Sequence, residues 1–349
     1  MAEKHFAEEA KDLFRKYKLE IPATIALTFL AACGGTKGSG AVVNASSTPT
    51  PEPSREASMP FPRPEDFANL SETSAALALF NAHREAAGSP PVVLDIEASR
   101  GAESHAQYMI RNPQAARLHF EDPGLPGYTP EGDEAARQSS LSQTIDGPRD
   151  TAADCVERIL IVPYHRTNFL QPGVRSVRLG FAREGNISAC VLGALPWGPT
   201  TRESRATVVL PVVYPAPGET NVPTRFAAGE FPDPLDLCRD ANGNKYQYPA
   251  GFPITVEFRS WEKGIQLEES TFLDSLGQNV EHCLINAELP HPDQIKVAVP
   301  GSEPAGPPAT IIALSKEPLR PNTGYRFTVR GTYAGLPFEV TTDFTTGTE

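Results

Sequence analysis

Three histidines carry most of this chain's capacity for chemistry: His105 in SHAQYM, His119 in ARLHFEDPG and His165 in VPYHRTNFL. Glu121, Asp122 and Glu131 lie in the segments between them. Two imidazoles and a carboxylate suit zinc, which takes nitrogen and oxygen ligands at about 2.0–2.2 Å. The same groups can transfer protons or hold a polar ligand. The spacing matches no short metal signature such as H-E-x-x-H. His105 sits midway along an alanine-rich helical face, where a packed, hydrogen-bonded ring is the expected role. Tyr164 suits equally a cleft wall or the core. No G-x-S-x-G motif is present, and no serine or cysteine has a base beside it, so a nucleophilic triad is not expected.

Helices and short strands must position these residues. Leu77 and Phe80 recur at helical spacing after Ser71, and Gly88 is placed to end that helix. Pro90-Pro91 forces an extended segment to Leu94. Asp95 can cap a second helix carrying Ala98, Ala102, Ala106 and Met109, and Thr151 to Val162 reads as a third. Val174 to Ala182 and Ile187 to Leu192 form a hairpin around Arg-Glu-Gly-Asn. Beyond Pro196-Trp197-Gly198-Pro199 the runs 208–214, 254–258, 310–314, 325–333 and 338–344 are β-type, separated by Pro, Gly and Asn. The fold class is therefore α+β, a layered domain over 67–202 followed by an all-β sandwich over 203–349.

The 35 prolines in 349 residues favour loops and strands over long helices. The net charge of −12 disfavours nucleic acid and anionic lipid headgroups as partners. Ahead of the layered domain, the apolar stretch Ile21 to Ala32 follows Arg15, Lys16 and Lys18 and closes on Leu30-Ala31-Ala32-Cys33. That order resembles a bacterial lipoprotein signal, cut before a lipidated Cys33. The run is shorter than the roughly 20 residues a membrane span needs. Residues 1–32 are then a signal peptide, and 33–66, rich in Ser, Thr and Pro, a flexible tether. Glu3, Glu8, Glu9, Asp12 and Glu20 are unusual ahead of such a segment and point to a start further downstream. An exported protein meets oxidants, so Cys155, Cys190, Cys238 and Cys283 are expected in disulfides. Of three pairings, the domain division favours Cys155–Cys190 and Cys238–Cys283.

The phrases LFNAHREAAGSPPVVLD, GAESHAQYM, LHFED, GYTPEG and ADCVERILIVPYHRTNFLQPGVRSVRLGFA, in that order, resemble a bacterial CAP domain. This superfamily comprises the cysteine-rich secretory, antigen 5 and pathogenesis-related 1 proteins. The resemblance rests on Asn81 and Arg84 before the Gly-Ser-Pro-Pro turn, on His105 and His119, and on Tyr164-His165-Arg166 with Leu170-x-Pro172. It implies an α–β–α sandwich whose cleft holds two histidines, here His119 and His165, and commonly two glutamates, sometimes with zinc or another divalent ion. The Gly-Glu-Asn usual after the first histidine is absent. Residues 136–140 stand near its place, with Glu131 and Glu121 as alternative carboxylates.

The expected function is a membrane-anchored, non-catalytic binding module for a lipid, cell-wall or protein ligand. The C-terminal part is expected to be an Ig-like sandwich that orients the first domain. The competing readings are a metal-assisted hydrolase, with Glu131 or Glu121 as base, and a purely structural envelope protein.

Overall fold

Asp95 opens the helix that organises the first half of the molecule. Its side chain accepts the backbone N–H of Ala98 at 2.9 Å, satisfying one of the donors that a helix N-terminus leaves free. The computed structural model describes residues 59–114, 119–145, 150–195, 211–227, 230, 233–258, 265–286, 310–333 and 335–348. The expected signal peptide, Cys33, the tether up to residue 58 and the domain boundary near 203 lie outside the described residues.

Helix α1 (Glu72–Ala86) buries Ala75, Ala76, Leu79, Phe80 and His83 on one stripe. Gly88, at φ 74°, follows its end in the left-handed region that glycine adopts without penalty. Helix α2 (Ile96–Arg111) buries Gly101, Ala102, His105, Ala106 and Met109. Helix α3 (Pro130–Arg137) is short, capped by Thr129 through the N–H of Gly132. Helix α4 (Ala152–Leu160) begins with a reciprocal cap between Thr151 and Asp154. Helix α5 (Pro163–Arg166) is a single turn.

Four strands lie between these helices: β1 (Val93–Leu94), β2 (Ser140–Thr144), β3 (Ser176–Glu184) and β4 (Ile187–Leu195), in the order β1-β3-β4-β2. One face packs Val177, Leu179, Cys190 and Leu192 against α1 and α4, and the other packs Ala182, Ala189 and Val191 against α2. The result is an α–β–α sandwich. Cys155–Cys190 ties α4 to the central strand β4. Closing its 35-residue separation contributes about 4 kcal/mol in the chain-entropy model.

Among the described residues, the C-terminal part is all β apart from a 3-10 turn at Pro234–Leu237. Strands β5 (Val212–Tyr214), β9 (Ile254–Glu257), β11 (His282–Asn286) and β12 (Thr310–Ser315) make one sheet. Strands β6 (Glu219–Val222), β10 (Ile265–Asp274), β13 (Gly324–Tyr333) and β14 (Leu336–Thr346) make the second. Both sheets contribute to one core, including Val256 and Ile311 from the first and Phe272, Phe327 and Phe344 from the second. A small ribbon pairs β7 (Arg225–Phe226) with β8 (Ala250–Gly251), and Cys238–Cys283 is the second disulfide. Among the described residues, no helix is long and apolar enough to cross a membrane.

The described residues pack as one compact unit, and its two halves share buried groups. Leu170 from the first half and Phe61 from the N-terminal segment enter the sandwich core. Phe61 is held there by a parallel bridge from Pro60 to Thr220, with Phe61 N–H donating to Thr220 O at 2.7 Å. His83 shares a hydrogen bond with the Tyr214 hydroxyl, and the Gln171 amide donates to Glu257 at 3.0 Å. Arg166 runs inward, fully buried, over the rings of Tyr214 and Phe252 at 4.9 and 5.2 Å, and donates to Pro253 O at 2.7 Å.

This seam predicts acid sensitivity. Burial, reinforced by Arg166 and Arg63, lowers the His83 pKa to about 3, and burial with the neighbouring His119 lowers that of His105 to about 4. Between pH 4.5 and 4 the unfolded chain carries both protons while the folded state resists them, and from pH 4 down to 3 only His83 still resists. Unfolding therefore takes up protons, and stability falls as the pH is lowered. Each group contributes a slope of up to about 1.4 kcal/mol per pH unit. Above pH 4.5, Glu219, raised to about 7 by burial, and Glu257, raised further, act in the opposite sense. Urea unfolding at pH 4.5 and 3.5 should show a shallower acid decline for His83→Gln than for the wild type. Equal declines would exclude His83 as a source of the slope.

Candidate functional site

Residues 165 and 166 divide at the single turn of α5. Arg166 enters the core, and the side chain of His165 remains 22% exposed. Pro163 at the start of this turn needs no hydrogen-bond partner for its nitrogen, which suits it to a first helical position. His165 is fixed from the far half of the chain. Its backbone N–H and its Nδ1 both meet Glu230 Oε1, each at 2.8 Å. The ring bond requires the proton on Nδ1, which leaves Nε2 of the neutral ring as an acceptor.

A second carboxylate–histidine pair lies within the first half. His105 Nδ1 meets Glu121 Oε1 at 3.0 Å, and both side chains are fully buried. Glu121 Oε2 accepts the N–H of Thr129 at 2.8 Å. Burial raises the Glu121 pKa, the Thr129 N–H opposing and Asp133 reinforcing the shift. The His105 ring stacks on Tyr108.

His119 is engaged by the backbone. Its Nδ1 meets the carbonyl of Ala136 at 3.2 Å. Burial lowers its pKa, the carbonyls of Ala136 and Ser139 oppose the shift, and His165 adds to it by like-charge repulsion. His119 in turn depresses His105. His119 is therefore within electrostatic reach of both His105 and His165.

Glu131 is exposed in the first turn of α3, and its backbone carbonyl faces Gly101. Glu121 is buried with both oxygens engaged by His105 and Thr129, so neither oxygen points freely at His119 or His165. Tyr164 packs partly against a core formed by Val162, Phe226, Leu235 and Tyr246. Its hydroxyl is buried without a hydrogen bond. Asn81 and Arg84 have structural roles. Asn81 exchanges hydrogen bonds with the backbone of Val92, and Arg84 donates to the carbonyls of Pro90, Phe169 and Gln171.

Among the described residues, no three His, Cys, Asp or Glu side chains are arranged to hold a metal ion. No preformed zinc site is therefore found among the described residues. The described cysteines, Cys155, Cys190, Cys238 and Cys283, are all in disulfides, in the pairing that the domain division favours.

The family model of the cysteine-rich secretory proteins, CAP, matches residues 77–193. This stretch is a CAP domain. No curated protein matches the chain. The match ends before the sandwich, so Glu230 lies outside the CAP domain whose histidine it fixes. Spacing did not reveal Glu230. Its one signal is being the sole carboxylate of the segment Phe226–Pro232, FAAGEFP, where a charge among apolar residues must find a partner.

Proposed function

We propose that this chain is an exported binding module that receives a lipid, cell-wall or protein ligand at His119 and His165. The observation that carries the reading is the fixation of His165 by Glu230 at both backbone and ring while its ring stays partly exposed. An imidazole held in this way presents one acceptor nitrogen in a set direction, which suits recognition. A hydrolytic role has less support, because the oxygens of Glu121 are engaged and Glu131 points to solvent.

The two disulfides fit an oxidising, exported setting. In this proposal Cys33 carries the lipid anchor, residues 33–58 span the distance from the membrane, the end of the expected tether being instead docked on the sandwich through Pro60 and Phe61, and the β part is an Ig-like module that orients the CAP domain. The histidine ring resonances test the binding reading. The purified protein is titrated separately with envelope lipids, cell-wall fragments and unstructured peptides. One class is expected to move the His119 and His165 signals together, and His119→Ala with His165→Ala should abolish its binding. If no class moves either ring, the reading is wrong.

A further inference from the structure

The seam between the two halves is crossed once more, by the segment Met59-Pro60-Phe61-Pro62-Arg63-Pro64. Prolines at 60, 62 and 64 offer no N–H to a neighbouring strand. The Arg63 N–H turns back to the Asp66 carboxylate at 2.9 Å. Pairing with β6 is therefore confined to one bridge and two bonds. Phe61 N–H donates to Thr220 O at 2.7 Å, and Thr220 N–H to Met59 O at 2.8 Å. Two side chains add the rest, and each reaches both halves. The Phe61 ring lies 5.2 Å from that of His83 on α1, and 5.8 and 5.5 Å from those of Tyr214 and Phe252 in the sandwich. Arg63 pairs with Glu157 of α4 at 3.3 Å and donates to the carbonyl of Asn221 in β6 at 3.2 Å.

The direct contacts of the seam are polar and incompletely satisfied. His83 Nε2, Arg166 Nε and Nη1, and Glu257 Oε1 are buried without hydrogen bonds. Water would complete them, so these groups favour a parting of the halves. Phe61 and Leu170 oppose it, because an open seam returns both side chains to solvent. Each half has its own disulfide, and the first has a core of its own on either face of its sheet. We infer that residues 59–63 are a releasable strap that holds the CAP domain against the sandwich. With the strap docked, Glu230 reaches His165 from the sandwich side and fixes it. With the strap released, the halves part as folded bodies, the seam hydrates and His165 loses that partner. The N-terminal segment thus sets whether His165 is rigid or free. This assignment goes beyond the binding-module reading and holds whatever the histidines receive.

Native-state hydrogen exchange on the full chain at pH 7 tests the strap. The amides of Phe61, Thr220 and His165 should share one opening, at least about tenfold more frequent than that of the central strands β4 and β9. Phe61→Ala should make this opening about a hundredfold or more easier at Thr220 and His165, the scale of losing a buried phenylalanine. The wild-type comparison needs no variant, so a poorly folded Phe61→Ala does not block the test. Exchange of Thr220 only together with β4 and β9 would overturn the strap. So would a His165 amide that stays protected once Thr220 has lost protection, or wild-type opening in a folded Phe61→Ala. None of these results touches the response of the histidine rings to added ligand, so this proposal and the binding-module reading fail separately.

Discussion

Replacing Arg166 by alanine should lower the unfolding free energy by about 3–5 kcal/mol, the range for truncating a large, fully buried side chain. The residue is wholly enclosed between Tyr214 and Phe252, and its one hydrogen bond crosses to the carbonyl of Pro253. Alanine leaves a void at the junction of the two halves and a carbonyl without its donor. The charge itself contributes less than the burial suggests. Nε and Nη1 are buried without hydrogen bonds, and burial lowers the guanidinium pKa to about 10. The nearby Glu219 and Glu257 are both pushed toward their protonated forms, so they demand little from a cation. Arg166→Met fills the same space without charge and should recover more than half of the loss. Urea unfolding followed by circular dichroism measures both variants. If methionine proves as damaging as alanine, the charge holds the seam and the volume argument is wrong.

The second large effect belongs to Gly180 in β3. A Cβ at this position would fall against the backbone of Ala102 and Glu103 in α2, well inside van der Waals contact. Backbone cannot rotate away as a side chain can, so helix and sheet would have to separate. Gly180→Ala should cost about 3 kcal/mol or more, at or beyond the upper end of ordinary overpacking. Gly88 supplies the contrast. No atom lies within 4 Å of a Cβ built there, and its penalty is only that of a positive φ, about 1–2 kcal/mol. Denaturation midpoints of the two alanine variants should differ accordingly. Equal losses would show that α2 adjusts to the extra methyl group.

The elements most visible in the sequence are those governed by local rules. Asp95 caps α2, Thr151 caps α4, and the Arg-Glu-Gly-Asn turn joins β3 to β4. Strands rich in Val, Ile and Phe, such as β9, β12 and β13, lie where the apolar runs place them. The elements not anticipated have weaker local signatures. Strand β10 reads Ile-Gln-Leu-Glu-Glu-Ser-Thr and lies at a sheet edge, where polar residues face water. Helix α3 is short and contains both Pro130 and Gly132. Strand β2, Ser-Leu-Ser-Gln-Thr, has one large apolar residue and forms by pairing with β4. Of the 208–214 run, the described strand begins at Val212, and residues up to 210 lie outside the described residues.

The site divides in the same way. His105 is the packed, hydrogen-bonded residue that its alanine-rich face implies. The partner of His165 could not be read locally, because Glu230 reaches it across 65 positions and depends on how the two halves meet. Glu121 looks like a ligand only until the fold gives its oxygens to His105 and Thr129.

The bridge between Pro60 and Thr220 has a mechanical consequence. Tension arriving along the chain from upstream meets the edge strand β6 and the embedded Phe61 before it reaches α1. The sandwich sheet is thus the first to bear a pull, and the histidines are shielded from it until that clasp gives way.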